Sequence, residues 1–218
     1  DRHATSRKGS LDKLLAQVST GAPLILVGTQ MLAKGHHFPG VTLVVIVNID
    51  QSLYSADYRS LERMGQMIQQ VAGRAGRADK AGTVILQTLL PDHAALDMLL
   101  REGYEAYARW LLRERSLAGL PPCGFQALLR ADAHERDHVR QFLNEAADCF
   151  PAGDARLFGP LPAIMERVGG RTRMYLVLQS AERSGLHAQL DAWLPGVRAL
   201  PSARRVRWSI DVDPMDTY

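Results

Sequence analysis

The sequence predicts an α/β protein in two parts. A parallel sheet with flanking helices occupies residues 1–90, and a ferredoxin-like α+β domain occupies residues 119–218. A helical connector at 91–118 joins them. Three observations predict this. Short continuous apolar runs at Leu24–Val27, Val41–Ile49 and Thr83–Thr88 alternate with helical patterns, as strands buried on both faces of a parallel sheet do. Gly119-Leu120-Pro121-Pro122 then breaks the chain, and the domain boundary is placed there. Beyond it the order is strand, helix, strand, strand, helix, strand, the split βαβ arrangement.

Taken in order, Leu11, Leu14, Leu15 and Val18 recur at helical spacing behind a capping Ser10. The run Leu24–Val27 ends in Gly28-Thr29, and Val41–Ile49 ends at Asp50. A helix follows with Leu61, Met64, Met67, Ile68 and Val71 on one face, then the strand Thr83–Thr88. Strand, helix and parallel strand require a right-handed crossover. From Pro91 to about Leu117 the pattern is helical, with Asp92 as its cap and Leu96, Leu99, Leu100, Tyr107, Leu111 and Leu112 as its apolar face. The second domain reads Phe125–Ala131, His134–Cys149, Arg156–Arg167, Arg171–Ser180, Arg183–Leu194 and Arg204–Val212, with a hairpin at Gly169-Gly170. The closing Asp211–Tyr218 stretch reads as a loosely held tail.

Composition narrows the class. With 46% hydrophobic and 22% charged residues, 218 residues suffice for one large or two small cores. A net charge of +3 and a pI near 9.0 permit a nucleic-acid partner without requiring one. Cys123 and Cys149 form no CxxC and no Cys/His cluster, so no zinc site is encoded, and both read as reduced cysteines of a cytoplasmic chain. No apolar run is long enough to span a bilayer as a helix. The chain opens without Met on a polar Asp1–Gly9 stretch, and we expect a piece of a longer protein.

Two motifs carry chemistry. In Gln70-Val71-Ala72-Gly73-Arg74-Ala75-Gly76-Arg77, a helix would put Gln70 and Arg74 on one face, with Arg77 a turn later. Gly73 and Gly76 leave the backbone open to close approach. Two guanidiniums at one helix end suit a polyphosphate, whose oxygens accept paired N–H bonds. We therefore assign Gln70, Arg74 and Arg77 as catalytic candidates, with Gly73, Arg74 and Arg77 at the nucleotide. A solvated basic turn is the alternative, and the full QxxGRxGR spacing argues against it. The second motif runs from Gly28 to Pro39. Its strand end would present Thr29, Gln30 and Lys34 at the carboxyl edge of the sheet, with Gly35 allowing approach, a placement suited to a DNA backbone. The side chains of His36 and His37 diverge and lack a third ligand, so no metal is expected.

These two motifs resemble motifs V and VI of superfamily 2 helicases. Gly28–Pro39, Asp50–Arg63 leading into Gln70–Arg77, Leu120-Pro121-Pro122 and Trp208–Pro214 are together similar to the primosomal protein N′ family of replication-restart helicases. The resemblance covers essentially the whole chain, most specifically residues 24–90. It implies a RecA-like motor lobe two, incomplete at its N-terminal side, followed by a C-terminal domain. It further implies an ATP-dependent 3′-to-5′ DNA helicase that binds stalled or abandoned forks and reloads the primosome. Implied partners are single-stranded and forked DNA, other primosome proteins and single-stranded DNA-binding protein. The sequence has no GxxxxGK[ST] loop and no DExH box. The resemblance therefore implies that ATP and Mg are held mostly by a first lobe, and that this chain alone does not hydrolyse ATP. The family's zinc cysteines are also not among these residues.

A second class is a binding module, in which the α+β domain engages DNA or protein through Arg171, Arg173, Arg204, Arg205 and Arg207. Strand alternation would pair Arg171 with Arg173 on one face, and Arg205 with Arg207 on one face. A third class, a nucleotide-metabolising enzyme, would need Asp50 or Asp57 as a catalytic carboxylate, and no His or metal constellation accompanies either.

Overall fold

The computed structural model describes residues 23–28, 41–55, 57–73 and 82–216. The chain divides into two compact units, Asp1–Ser55 with Arg59–Ala108, and Ala56–Tyr58 with Arg109–Tyr218. Both layers of the expected α/β and α+β architecture are present, one with a parallel sheet and one with an antiparallel sheet.

In the first unit β1 (Leu43–Ile46) pairs in parallel with β2 (Thr83–Leu86), Leu43 opposite Thr83 and Ile46 opposite Leu86. Between them lie the short α1 (Asp50–Leu53) and the longer α2 (Ser60–Ala72). The helix forms where the 3.6-residue pattern put it, and its buried positions are Met64, Gly65 and Ile68. The strands are shorter and less covered than expected. Leu43, Val45 and Ile85 are exposed while Val44, Ile46, Val84 and Leu86 are half-buried, so one face is packed rather than two. Nor do residues 23–28 form a strand: Ile25 is 93% exposed and Val27 84%. An apolar run becomes an inner strand only with a paired neighbour and a covering layer, and among the described residues nothing pairs with this one.

The connector begins at α3 (Ala94–Asp97), continues as a π turn over Met98–Glu102, and resumes as α4 (Gly103–Leu117) at Gly103, whose φ of 81° only glycine adopts readily. Its cap is His93 and not Asp92, because the His93 Nδ1 accepts from the Ala95 N–H at 3.1 Å. Leu96, Leu99, Tyr107 and Leu111 are buried as expected, whereas Leu100 and Leu112 face out. The π turn adds a residue to the helical period and rotates Leu100 off the stripe.

The second unit has β3 (Phe125–Ala133), α5 (Arg136–Asp148), β4 (Arg156–Val168), β5 (Arg171–Ser180), α6 (Arg183–Ala199) and β6 (Arg207–Val212). Strand order β4-β5-β3-β6, with every pair antiparallel, is the ferredoxin-like sheet. Gly169 and Gly170, both at positive φ, make the β4–β5 turn. Leu129 and Ala131 of β3, Phe142 of α5, Leu176 of β5 and Trp193 of α6 share one buried core. The Trp193 indole N–H donates to the Ala146 carbonyl at 2.8 Å, which satisfies its buried donor. The helix α6 runs five residues past the expected Leu194, through Pro195, because Val197 is buried in the core and its packing offsets one lost backbone bond. The last strand starts at Arg207 because Pro201–Arg205 forms a 3-10 turn. Arg204 and Arg205 are therefore off the strand, and Arg205 shares no strand face with Arg207. The tail is also better held than expected: Asp213 accepts from Arg183 at 3.0 Å, and Arg130 donates to the Asp216 carbonyl at 2.6 Å.

Candidate functional site

The described part of the first motif lies at the carbonyl end of α2. The helix itself is fixed from one side, nearer its amino end. Tyr107 is fully buried, its hydroxyl donates to the Leu61 carbonyl at 2.6 Å, and its ring lies against Gly65, where a Cβ would come within 2.4 Å of Cε1. Glycine at 65 thus lets α2 and Tyr107 close up, a requirement of packing that the residue pattern did not reveal. On the opposite side of α2, Gln70 is exposed, with no side-chain partner among the described residues.

The helix stops at Ala72, with Gly73 as its cap donating to the carbonyls of Gln69 and Val71. The described helix thus ends two residues before Arg74, and the expected i,i+4 face from Gln70 to Arg74 lies partly outside the described residues. Gly73 has φ −67° and ψ −7°, which any residue adopts, and a Cβ there would make only ordinary contacts, the nearest with Gln69 O at 3.5 Å. Local structure gives no reason for glycine at 73. Arg74 and Arg77 lie outside the described residues, as do Thr29, Gln30, Lys34, Gly35, His36 and His37.

Asp50 has a structural task. Its carboxylate accepts from the Thr88 hydroxyl and, at 3.0 Å, from the Leu89 N–H, while the Thr88 oxygen accepts from the Leu90 N–H at 2.9 Å. The chain segments leaving β1 and β2 are thereby latched together, and the Gln87 N–H adds a bond to the Ile46 carbonyl at 2.9 Å. Asp50 sits at the strand carboxyl ends, where a ligand-facing carboxylate was conceivable, yet both its oxygens are engaged. Asp57 is 3% exposed. Among the described residues no group of three or more His, Cys, Asp or Glu is arranged to hold a metal ion. Cys123 and Cys149 are both free thiols.

Comparison with known proteins follows the same two parts. Residues 2–79 match the helicase conserved C-terminal domain, and residues 116–215 match the primosomal protein N C-terminal domain. The replication restart protein PriA of Haemophilus influenzae is 46% identical over 219 residues, covering 99% of this chain. Along nearly its whole length the chain is similar to the C-terminal part of PriA. PriA of Bacillus subtilis is 34% identical across 98% of the chain, and PriA of Chlamydia pneumoniae 34% across 100%. The chain spans about 30% of the length of these relatives, which are 30%, 27% and 29% covered in the same order. A designed protein, Foldit4, aligns with 42% of the chain at a TM-score of 0.32 and 5% identity, a level that carries no argument. No helix among the described residues is long and apolar enough to cross a membrane.

Proposed function

We propose that this chain supplies most of the second motor lobe and the following domain of an ATP-dependent 3′-to-5′ DNA helicase that restarts replication. In this reading the parent binds stalled or abandoned forks in the cytoplasm and reloads the primosome, working with primosome proteins and single-stranded DNA-binding protein. The observation that carries the reading is the 46% identity to a replication restart protein over 99% of the chain, which includes the QxxGRxGR run at residues 70–77.

The described residues fit a nucleotide at that helix end. Gln70 offers an exposed amide, and Gly73 is uncovered and not needed for the turn. When bound, ATP supplies the transferable γ-phosphoryl group, with Mg held mostly by the first lobe. Arg77 and Arg74 act across the lobe boundary, where guanidiniums stabilise negative charge that builds during transfer. Gln70 orients the polar end of the site. Tyr107, by pinning α2 at Leu61 and Gly65, is a positioning residue for the helix that carries Gln70. Thr29, Gln30, Lys34 and Gly35 hold the DNA backbone by phosphate contacts, which suits tracking without base readout.

The test is steady-state ATP hydrolysis by the purified 218-residue chain with and without single-stranded DNA. The expected result is no turnover above background. Robust DNA-stimulated turnover would overturn the assignment of the phosphate-holding parts to another lobe.

A further inference from the structure

The face of the ferredoxin-like sheet away from its helices is covered at Leu128 and Tyr175 but opens toward Asp132, and its side chains are set by register. Asp132 of β3 stands between Arg173 of β5 and Arg207 of β6; Arg130 stands between Tyr175 and Ser209. These six residues line a concavity of about 320 Å³. Its charges are unevenly matched. Arg171 binds Asp132 through its Nε and, at 2.9 Å, donates from Nη2 to the Asp132 carbonyl. Arg130 reaches Asp211 at 2.8 Å and Asp216 at 3.3 Å. Arg173 and Arg207 are left, and among the described residues neither side chain has a hydrogen-bonding or ion-pair partner.

From this geometry we infer that the open sheet face holds a phosphodiester-backbone site, with Arg173 and Arg207 as its two clamps. The two strands flank a central one, so the arginine Cα atoms stand about 10 Å apart, twice the strand spacing. Asp132 stands between them but is already engaged by Arg171, so a phosphate bound there would be an anion that both guanidiniums can share. Planar guanidinium forks match phosphate oxygens in pairs, and the Ser209 hydroxyl adds a donor on the same face. The floor favours backbone over base recognition. Tyr175 is 7% exposed, so its ring offers no stacking platform, and Ala163 beside it is small and buried. Recognition of this kind carries no sequence preference. The site rests on the functional reading above only in taking nucleic acid as the source of the phosphate.

The test uses the whole chain and a fluorescent single-stranded oligonucleotide, titrated at several salt concentrations. Wild type is compared with Arg173→Gln/Arg207→Gln and with a control that removes the same charge from exposed helix positions, Arg140→Gln/Arg198→Gln. Two lost phosphate contacts lower the salt slope by about 1.4 units, which is about 25-fold in affinity at 0.1 M salt. The expected result is that loss in the sheet variant, a much smaller change in the control, and recovery of the slope in Arg173→Lys/Arg207→Lys. Equal effects of the two neutralised pairs, or none from the sheet pair, would overturn the site while leaving the motor assignment intact. A wild-type chain that binds tripolyphosphate but not the oligonucleotide would overturn the phosphodiester class. If neither ligand binds, the site itself is refuted, and motor function is judged separately by turnover in the parent enzyme.

Discussion

Substituting Gly65 by alanine removes a poor helix former from the middle of α2, and propensity alone predicts a gain of about 1 kcal/mol. The structure predicts the opposite sign. The new Cβ would lie 2.4 Å from Tyr107 Cε1 and 3.0 Å from Cδ1, inside a contact where Tyr107 is fully buried. The ring cannot swing aside freely, because its hydroxyl is bound to the Leu61 carbonyl at 2.6 Å. Overpacking a well-filled site costs about 1–3 kcal/mol. Losing the hydroxyl's partner adds about 1–3 kcal/mol. Less the helix-propensity gain, the net destabilisation is about 1–5 kcal/mol, centred on about 3, or roughly 12–24 °C in the melting of a unit of about 100 residues. Amide exchange across Ser60–Ala72 reads this directly, with Gly73→Ala as the internal contrast. At Gly73 the backbone is ordinary and the nearest Cβ contact is 3.5 Å, so that variant should hold or gain stability. A Gly65→Ala protein whose α2 amides exchange no faster than wild type would refute the packing argument.

Three further outcomes follow from particular residues. The Gly73→Ala parent helicase, though stably folded, should lose ATP turnover if glycine there serves close approach by a partner; normal turnover would remove that role. The Glu145 carboxyl is held below its ordinary value, first by the Ser202 hydroxyl and then by the Gln141 amide, against an opposing effect of burial and with a lesser contribution from the Arg205 charge. A carboxyl lowered in the folded state stabilises above its unfolded pKa, and that contribution fades as pH falls through the folded value. Ser202→Ala should therefore lower the urea midpoint at neutral pH and converge with wild type in acid; a gap that persists in acid would contradict it. In the parent helicase, Lys34→Ala should weaken single-strand binding alike across sequences and reduce the salt slope by about one unit, read by titration at several salt concentrations. An unchanged slope would return Lys34 to the solvated surface.

The second unit was legible almost element by element, and the reason is physical. Its sheet packs one face on two helices, so β3 and β5 alternate over Arg130–Ala133 and Arg171–Met174, although Gln126–Leu129 and Met174–Leu176 are buried on both faces, and Gly169-Gly170 marks the turn. The misses fell where tertiary packing overrode local signals, as when buried Val197 carried α6 through Pro195. In the first unit the run Leu24–Val27 looked like an inner strand, because composition cannot say whether a neighbour is present to pair with it. Of the candidate site, the described residues include only Gln70, in the last turn of α2, and Gly73, its cap. What sequence could not show was the support beneath: Gly65 and Tyr107 touch across 42 positions, and Asp50 finds Thr88 across 38. Likewise the arginines at 171 and 173 look equivalent in the strand pattern. Only the cross-strand register reveals that Asp132 binds the first and leaves the second open.

The central claim is that the arginines after α2 serve ATP turnover and not DNA capture. Its most direct test is DNA-stimulated ATP hydrolysis by the parent helicase carrying Arg77→Ala, measured beside single-strand binding by the same preparation. The account predicts turnover lower by about a thousandfold or more with binding nearly unchanged. Normal turnover with weakened DNA binding would contradict it.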